Sequence, residues 1–307
     1  DTGSSYTLSN GTGTGTLAGT SGGLVKNGTG TLILGPTNTY TGSTLVNAGT
    51  LQLTAQSPTS ASLGSTSGVT VVSGAALDLK GAKLSSAKTV TIAGAGPTGA
   101  GALVNTGSSV ADYGLSVILS ADATVGGTGR WDIGWGGTTL NGAGFALTKT
   151  GSGYLDIRGA VSNLAALNVN QGYLYFETSE SGMGSTVMTV NPGAAVGIYA
   201  NPTVNTQIVL NGGTIGQFGN NNTHTGTWSG PVTVAANSTI SSQAASAWGG
   251  GNVVMSGAIS GTANLAVAGP HIVTLSGDNS GYSGAISVQS GILKAGSTTA
   301  LGVGGVT

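Results

Sequence analysis

Short alternations of apolar and polar residues run along most of the chain, and clusters of glycine, asparagine and serine separate them. Val-Thr-Val at Val69–Val71 and Leu-Gln-Leu at residues 51–53 are typical, with aliphatic side chains on one face of each run. Alternation with a period of two predicts short, half-buried β-strands, and the intervening clusters predict tight turns. We therefore predict an all-β protein with many short strands.

One longer pattern occurs three times, at residues 24–53, 147–176 and 265–295. In each copy two glycines lie 21 or 22 residues apart, and a strand-like alternation follows the second glycine. These pairs are Gly28 and Gly49, Gly151 and Gly172, and Gly269 and Gly291. This spacing predicts coils of about 21 residues in a β-solenoid, where each coil buries the apolar face of its neighbour. We interpret the six glycines as repeat-defining turns, where φ is positive and a Cβ would collide with the next coil.

The three copies begin at residues 24, 147 and 265, which defines a larger tandem unit of roughly 120 residues. The predicted units are 1–23 (partial), 24–146, 147–264 and 265–307 (partial), within one elongated domain of residues 1–307 and about 15 coils. Both ends of the sequence fall inside a unit and show no polar cap. We therefore expect the chain to continue into further coils or to stack end to end with other copies.

Composition narrows the possible classes of protein. Glycine accounts for 58 of 307 residues, and charged residues for only 6%. So much glycine argues against extensive helix, and the lack of a Gly-X-Y period argues against collagen. Eight Lys plus Arg and a net charge of −1 leave no basic surface for a nucleic acid. No apolar stretch is long enough for membrane insertion by this segment. Such a fold should depend on backbone ladders and aliphatic stacking, not on ion pairs.

The first copy closely resembles the autotransporter-associated β-strand repeat of bacterial passenger regions and very large surface proteins. Lys26, Gly28 and Tyr40 match the repeat pattern, the second copy keeps Lys149, and the third has Val267 in place of the lysine. The resemblance implies a right-handed parallel β-helix on the bacterial cell surface or released from it. It implies no reaction and supplies no catalytic residues.

A polysaccharide-cleaving β-helix enzyme is one alternative, because such an enzyme needs two or three carboxylates close together. Asp112, Asp122, Asp132 and Asp156 fall in one stretch, and two of them could line up on adjacent coils. We favour the simpler interpretation that the chain's acidic residues are isolated, solvated groups at turns.

Other motifs point to no catalytic or cofactor chemistry. The G-x-G-x-x-G string at residues 94–99 follows a predicted strand, but a second turn and strand come next instead of the helix that a dinucleotide site needs. The chain has no cysteine, and its only histidines are His224 and His271. A zinc site or a Ser-His-Asp triad therefore finds little support. We predict no catalytic residues, no metal, no cofactor and no enzymatic activity.

The string from Arg130 to Trp135 departs most from the repeat. Trp131 and Trp135 could stack on a sugar ring, with Arg130 and Asp132 bound to its hydroxyl groups, so these four residues form a possible glycan contact. Alternatively, the string is a longer loop whose indole rings cover a coil. Trp248 precedes two glycines, as Trp135 does, which favours the structural interpretation.

These observations predict a non-enzymatic, extracellular structural or adhesive β-solenoid, a surface stalk or fibre component, with end-to-end assembly as a further expectation. The alternative is an autotransporter passenger adhesin that binds host or matrix glycans. A polysaccharide-cleaving enzyme is the third hypothesis.

Overall fold

Stacked coils of short parallel strands build the protein in the computed structural model. The structure describes residues 6–8, 17, 22–56, 59–110, 114–180, 183, 185–219, 223–243 and 249–307. The chain forms two compact units, unit 1 (Asp1–Leu164) and unit 2 (Ala165–Thr307). Strands pair in parallel within both units, and each strand contacts the equivalent strand of the next coil. The predicted all-β solenoid is thus confirmed.

The described part of unit 1 contains mostly short strands, one strand of 13 residues and one 3-10 turn, Trp135–Gly137. Its described strands are β1 (Tyr6–Leu8), β2 (Leu24–Lys26), β3 (Thr31–Leu34), β4 (Thr44–Val46), β5 (Gly49–Gln52), β6 (Val69–Val71), β7 (Ala75–Asp78), β8 (Lys88–Gly94), β9 (Leu103–Asn105), β10 (Leu115–Gly127), β11 (Trp131–Ile133), β12 (Leu140–Asn141), β13 (Ala146–Lys149), β14 (Tyr154–Ile157) and β15 (Val161–Ser162). Val46, Val71 and Ile92 are in register on β4, β6 and β8, and all three are fully buried. Alternation within each strand thus becomes an aliphatic column through successive coils.

Unit 2 repeats this design with three parallel sheets. Its described strands are β16 (Ala166–Val169), β17 (Gly172–Phe176), β18 (Val187–Val190), β19 (Ala194–Ile198), β20 (Thr203–Val204), β21 (Gln207–Asn211), β22 (Thr214–Gln217), β23 (Thr225–Trp228), β24 (Val232–Ala236), β25 (Ser238–Ser241), β26 (Asn252–Met255), β27 (Ile259–Gly261), β28 (Leu265–Ala268), β29 (Ile272–Leu275), β30 (Ile286–Val288) and β31 (Ile292–Ala295). Leu174, Val196, Ile215, Ile240 and Val267 form one continuous interior column. The core of each unit therefore consists of aligned aliphatic side chains.

Coil length varies more than the repeat suggested. Aligned residues lie 19 positions apart between Thr31 and Thr50 and 27 apart between Val232 and Ile259. The spacing is about 22 residues, and the chain makes about 12 turns. The predicted number of about 15 coils is too high, because several coils carry longer loops. The single elongated domain stays a prediction. No helix among the described residues is long and apolar enough to cross a membrane.

Asparagine side chains form exposed ladders at successive turns. The Asn191 Nδ2 donates to Asn170 Oδ1 at 2.7 Å, and the Asn211 Nδ2 donates to Asn191 Oδ1 at 2.8 Å. Asn47 makes the same bond to Asn27 at 2.8 Å. An amide supplies both a donor and an acceptor, so identical residues can bond from coil to coil without charge. These ladders fix the turns in register at the surface.

Candidate functional site

The six repeat glycines lie at tight turns with left-handed backbone conformation. Their φ values range from 66° at Gly49 and Gly172 to 97° at Gly269. A Cβ added to Gly49 would collide with the carbonyl oxygens of Gly28 and Gly30 in the preceding turn. Glycine is required there both for its φ and for the close approach of two backbones.

The repeat lysine lies inside the coil beside this turn. Lys26 is in register with the interior residue Val46 and is itself buried. Its Nζ donates to the carbonyl oxygens of Asn27, Gly28 and Ala48 at 3.0, 2.7 and 2.9 Å. The ammonium group therefore links the carbonyls of two successive turns.

Lys149 occupies the same position in the second copy. It aligns with the buried Val125, is 1% exposed, and donates to the carbonyl oxygens of Thr150 and Gly151 at 2.9 and 2.8 Å. Burial lowers the pKa of Lys149 to about 7. In the third copy the buried Val267 fills this position without a charge. The lysine acts as a structural part of the turn and has no access to a substrate.

A cluster of two arginines and two aspartates lies on the outer wall of unit 1. Asp132 and Asp156 are in register on β11 and β14, and the residues on either side of them are buried apolar side chains. Because side chains alternate along a strand, the two carboxylates lie on the opposite face, towards the outside of the coil. Two acids do align on adjacent coils, which the sequence allowed. We call Arg130, Asp132, Asp156 and Arg158 the arginine–aspartate cluster.

Ion pairs join all four members of this cluster. The Arg130 Nε lies 3.2 Å from Asp132 Oδ1, and the Arg130 guanidinium also pairs with Asp156. The Arg158 Nη1 lies 3.2 Å from Asp132 Oδ2. The carboxylate side chains of Asp132 and Asp156 are 0% and 1% exposed. The prediction of solvated acids at turns is therefore wrong for this pair, as is the expectation of a fold without ion pairs. The carboxylates neutralise the guanidinium groups and present no open acid pair to a substrate.

The structure separates the four residues of the predicted glycan contact. Trp131 is 1% exposed and aligns with the interior Leu155, and its Nε1 donates to the Gly126 carbonyl at 3.1 Å. It therefore fills the core and does not cover a coil from outside. Asp132 and Arg130 are buried in the ion pairs, and only Trp135 is exposed, at 43%. A glycan contact at this position stays a prediction and is now restricted to Trp135.

Arg158 is the residue that sequence reasoning missed. Its guanidinium carbon lies 3.8 Å from the centroid of the Trp135 ring, so the charged group stacks on one face of the indole. Arg130 and Arg158 are the chain's only two arginines, and each lies two residues from one of the aligned aspartates. That spacing was the available signal.

The prediction of solvated acids is also wrong for Asp78, which is buried and accepts from Gln52 Nε2 at 2.9 Å and from Thr106 Oγ1 at 2.6 Å, and for the buried Glu180. Asp122 and Asp278 are exposed. Asp1, Asp112 and Trp248 lie outside the described residues. The glycine-rich string after β8 leads into β9, not into a helix. No group of three or more His, Cys, Asp or Glu residues that could hold a metal occurs in the described part of the chain.

An aromatic cluster covers a wall of unit 2. Phe218 is fully buried, and its ring lies edge-on to Tyr175 and Tyr173 with centroids 5.7 and 6.5 Å apart. The ring occupies the space that a side chain at Gly197 would need. Sequence reasoning missed this cluster, although a glycine inside a strand signals close approach by another group.

Charge is almost absent from the described surface. Most charged residues are buried or half-buried, and the exposed ones are Lys80, Asp122, Asp278 and Lys294. Two are positive and two are negative, so the described surface carries no charged patch that would steer a highly charged partner.

These features define the class of the protein: it is a β-solenoid repeat protein with glycine turns and aliphatic interior columns. The passenger-associated-transport-repeat family matches the chain at residues 24–53 and 268–295, which correspond to the first and third copies. The repeats and the fold fit an autotransporter passenger domain, and they imply a secreted or surface-exposed protein. No curated protein and no solved structure matches the chain.

Proposed function

We propose that the chain is a non-enzymatic structural segment of a bacterial surface protein, a stalk that holds adhesive or fibre-forming regions away from the cell. The arginine–aspartate cluster is the main support for a non-enzymatic role. Both aligned aspartates are held in ion pairs with arginine, and their carboxylate side chains are almost completely buried. The passenger repeats support the extracellular part.

Two measurements test this proposal. Antibodies against the chain should label intact cells of the source bacterium, and protease added to intact cells should remove the signal. Purified protein should release no reducing ends or unsaturated products from a panel of plant and bacterial polysaccharides. Cleavage that disappears in both Asp132→Asn and Asp156→Asn, but persists in Asp278→Asn, would contradict the non-enzymatic proposal.

A second candidate function, assembly with itself, rests on the last coil. Strand β31 pairs with β29 and has no other strand partner among the described residues. The apolar residues Val288, Ile292, Val303 and Val306 are exposed in the same region. A strand edge beside exposed apolar side chains is a template for another strand. We propose that a further coil pairs with this edge, either a continuation of the same protein or, for the isolated segment, a coil from a second copy.

Sedimentation velocity and electron microscopy test the assembly. The chain should form end-to-end filaments as its concentration rises, and the double variant Ile292→Lys/Val303→Lys should stay monomeric. Thr89→Lys, which adds a charge at an exposed strand position elsewhere, is the matched control and should still assemble. Monodisperse single particles at all concentrations would contradict this candidate.

A further inference from the structure

We infer that the outward face of Trp135 binds an uncharged pyranose ring of a glycan, and that Arg158 is the positioning residue for this contact. The inference rests on the proposed surface exposure of the chain, because the ring must meet a ligand outside the cell. Of the four residues in the contact that the sequence suggested, only Trp135 is exposed to such a ligand.

Trp135 forms an open aromatic platform. The guanidinium of Arg158 covers one face of the indole, so the exposed area of the ring lies on the other face and the edges. Gly136 and Gly137 follow directly, and a Cβ at either position would meet no atom within 4 Å. A flat ring with open space beside it suits the C–H face of a sugar, which packs against aromatic rings.

The platform is held in place before any ligand arrives. The backbone nitrogen of Gly134 donates to the Leu115 carbonyl at 3.1 Å, and the nitrogen of Arg158 donates to the Ile133 carbonyl at 2.8 Å. Arg158 is fixed in turn by Asp132, at 3.2 Å. A side chain that is already ordered loses less conformational entropy on binding, which favours affinity for a small contact.

The electrostatics select an uncharged ligand. The arginine–aspartate cluster contains two positive and two negative groups, so it presents no net charge beneath the ring. The nearly charge-free described surface adds no long-range attraction for an anionic chain. A uronate or sialate polymer would find no excess of cations here, whereas a neutral hexose or pentose polymer needs none.

Binding assays with purified protein test the inference. Soluble xylan, β-glucan and chito-oligosaccharides serve as neutral probes, and polygalacturonate and hyaluronate serve as anionic probes, each measured in low and high salt. The variants are Trp135→Ala, Trp135→Phe and Arg158→Lys, and Val25→Ala is the control for loss of another exposed apolar side chain. Circular dichroism and thermal melting show whether each variant is folded.

We expect at least one neutral probe to bind independently of salt. Trp135→Ala should weaken this binding by roughly tenfold or more, Trp135→Phe by less, and Val25→Ala not at all. Arg158→Lys keeps the charge but loses the planar stack, and it should weaken binding severalfold while the fold is kept. Unchanged binding in Trp135→Ala, binding only to anionic probes, or no binding to any neutral probe would overturn the inference. Surface labelling of cells does not depend on Trp135, so failure of the proposed function would be seen separately.

Discussion

The two units build the same coil but bury very different side chains. Buried charged residues are concentrated in unit 1, where they are Lys26, Asp78, Lys88, Arg130, Asp132, Lys149 and Asp156. Glu180 is the only one in the described part of unit 2. Where unit 1 places a lysine in the repeat turn, unit 2 has Val267, and where unit 1 covers a wall with ion pairs, unit 2 uses Tyr173, Tyr175 and Phe218.

This difference shows that the coil fixes the path of the backbone and the register of its strands. It does not fix whether charged, aliphatic or aromatic side chains fill the space between them. Backbone ladders and glycine turns are common to both units, so they set the path of the chain. Each wall or corner can then be completed by any group that fills the space and satisfies its polar atoms. Substitutions in each unit therefore test how strongly its stability depends on its own buried groups.

Disruption of the arginine–aspartate cluster should cause the largest loss of stability. Asp132→Asn removes the carboxylate that binds both guanidinium groups and leaves buried cations without full compensation. We expect the free energy of unfolding to fall by about 3–5 kcal/mol. Chemical denaturation measures it, with the exposed Asp278→Asn as control, for which the change should stay below about 0.5 kcal/mol. Equal effects in the two variants would mean that the ion pairs do not hold this wall.

Removing the Phe218 ring from the aromatic cluster of unit 2 should lower the free energy of unfolding by nearly as much as Asp132→Asn does. Phe218→Ala deletes a fully buried ring and opens a cavity over Gly197, so we expect a loss of about 3 kcal/mol. Phe218→Leu keeps most of the volume and should cost less than half of this. The loss should not depend on pH or salt, because no charge is involved. A strongly salt-dependent loss would contradict the apolar account of this wall.

Substitution of a repeat glycine should lower stability by a similar amount in both units. Gly49→Ala in unit 1 and Gly291→Ala in unit 2 force a left-handed φ on alanine and push its Cβ into neighbouring backbone, for an expected cost of about 2–3 kcal/mol each. Gly74→Ala has the same sign of φ but open space around the Cβ, so only strain of about 1 kcal/mol remains. Thermal melting compares the three variants. A cost at Gly74 as large as at Gly49 would show that close packing of turns adds nothing.

The repeat lysine should give the smallest effect and the clearest dependence on pH. The pKa of Lys149 is lowered to about 7 in the folded chain, against 10.5 for an unperturbed lysine. Between these values the unfolded chain holds a proton that the folded chain has lost, so stability should rise with pH across this window. Lys149→Met should flatten the rise, whereas Val267→Met should leave it intact. Denaturant midpoints from pH 7 to pH 10 would record the difference.

Sequence reasoning reached the fold because its signals are local and periodic. The spacing from Gly28 to Gly49 and the alternation at Val69–Val71 directly predicted one coil and one strand. The number of coils was overestimated, since loop length does not follow from the repeat. The sequence also showed that two aspartates could align, but their burial depends on ion pairs with Arg130 and Arg158, and the pairing across coils follows only from the register of β11 and β14.

The interior lysines were visible in the repeat pattern, but their burial was not inferred. Lys26 is two residues after Leu24 on β2, and both belong to the interior face of the alternation. A charged residue in phase with aliphatic ones indicates a polar group that must find partners inside. Phe218 itself gave no such signal, because it reaches Gly197 from the end of another strand, and the only available sign was the glycine inside β19.

Hydrogen exchange of the whole chain, followed peptide by peptide at pH 7.5 and pH 9.5, tests most directly whether unit 1 depends on buried charge and unit 2 does not. After correction for the intrinsic exchange rate, peptides from β10, β13 and β14 should become about tenfold or more better protected at the higher pH, because unfolding takes up a proton at Lys149 and this uptake becomes less favourable as the pH rises. Peptides from β24 to β29 should show no such gain. An equal gain in both units, or a loss of protection around Lys149, would contradict the account.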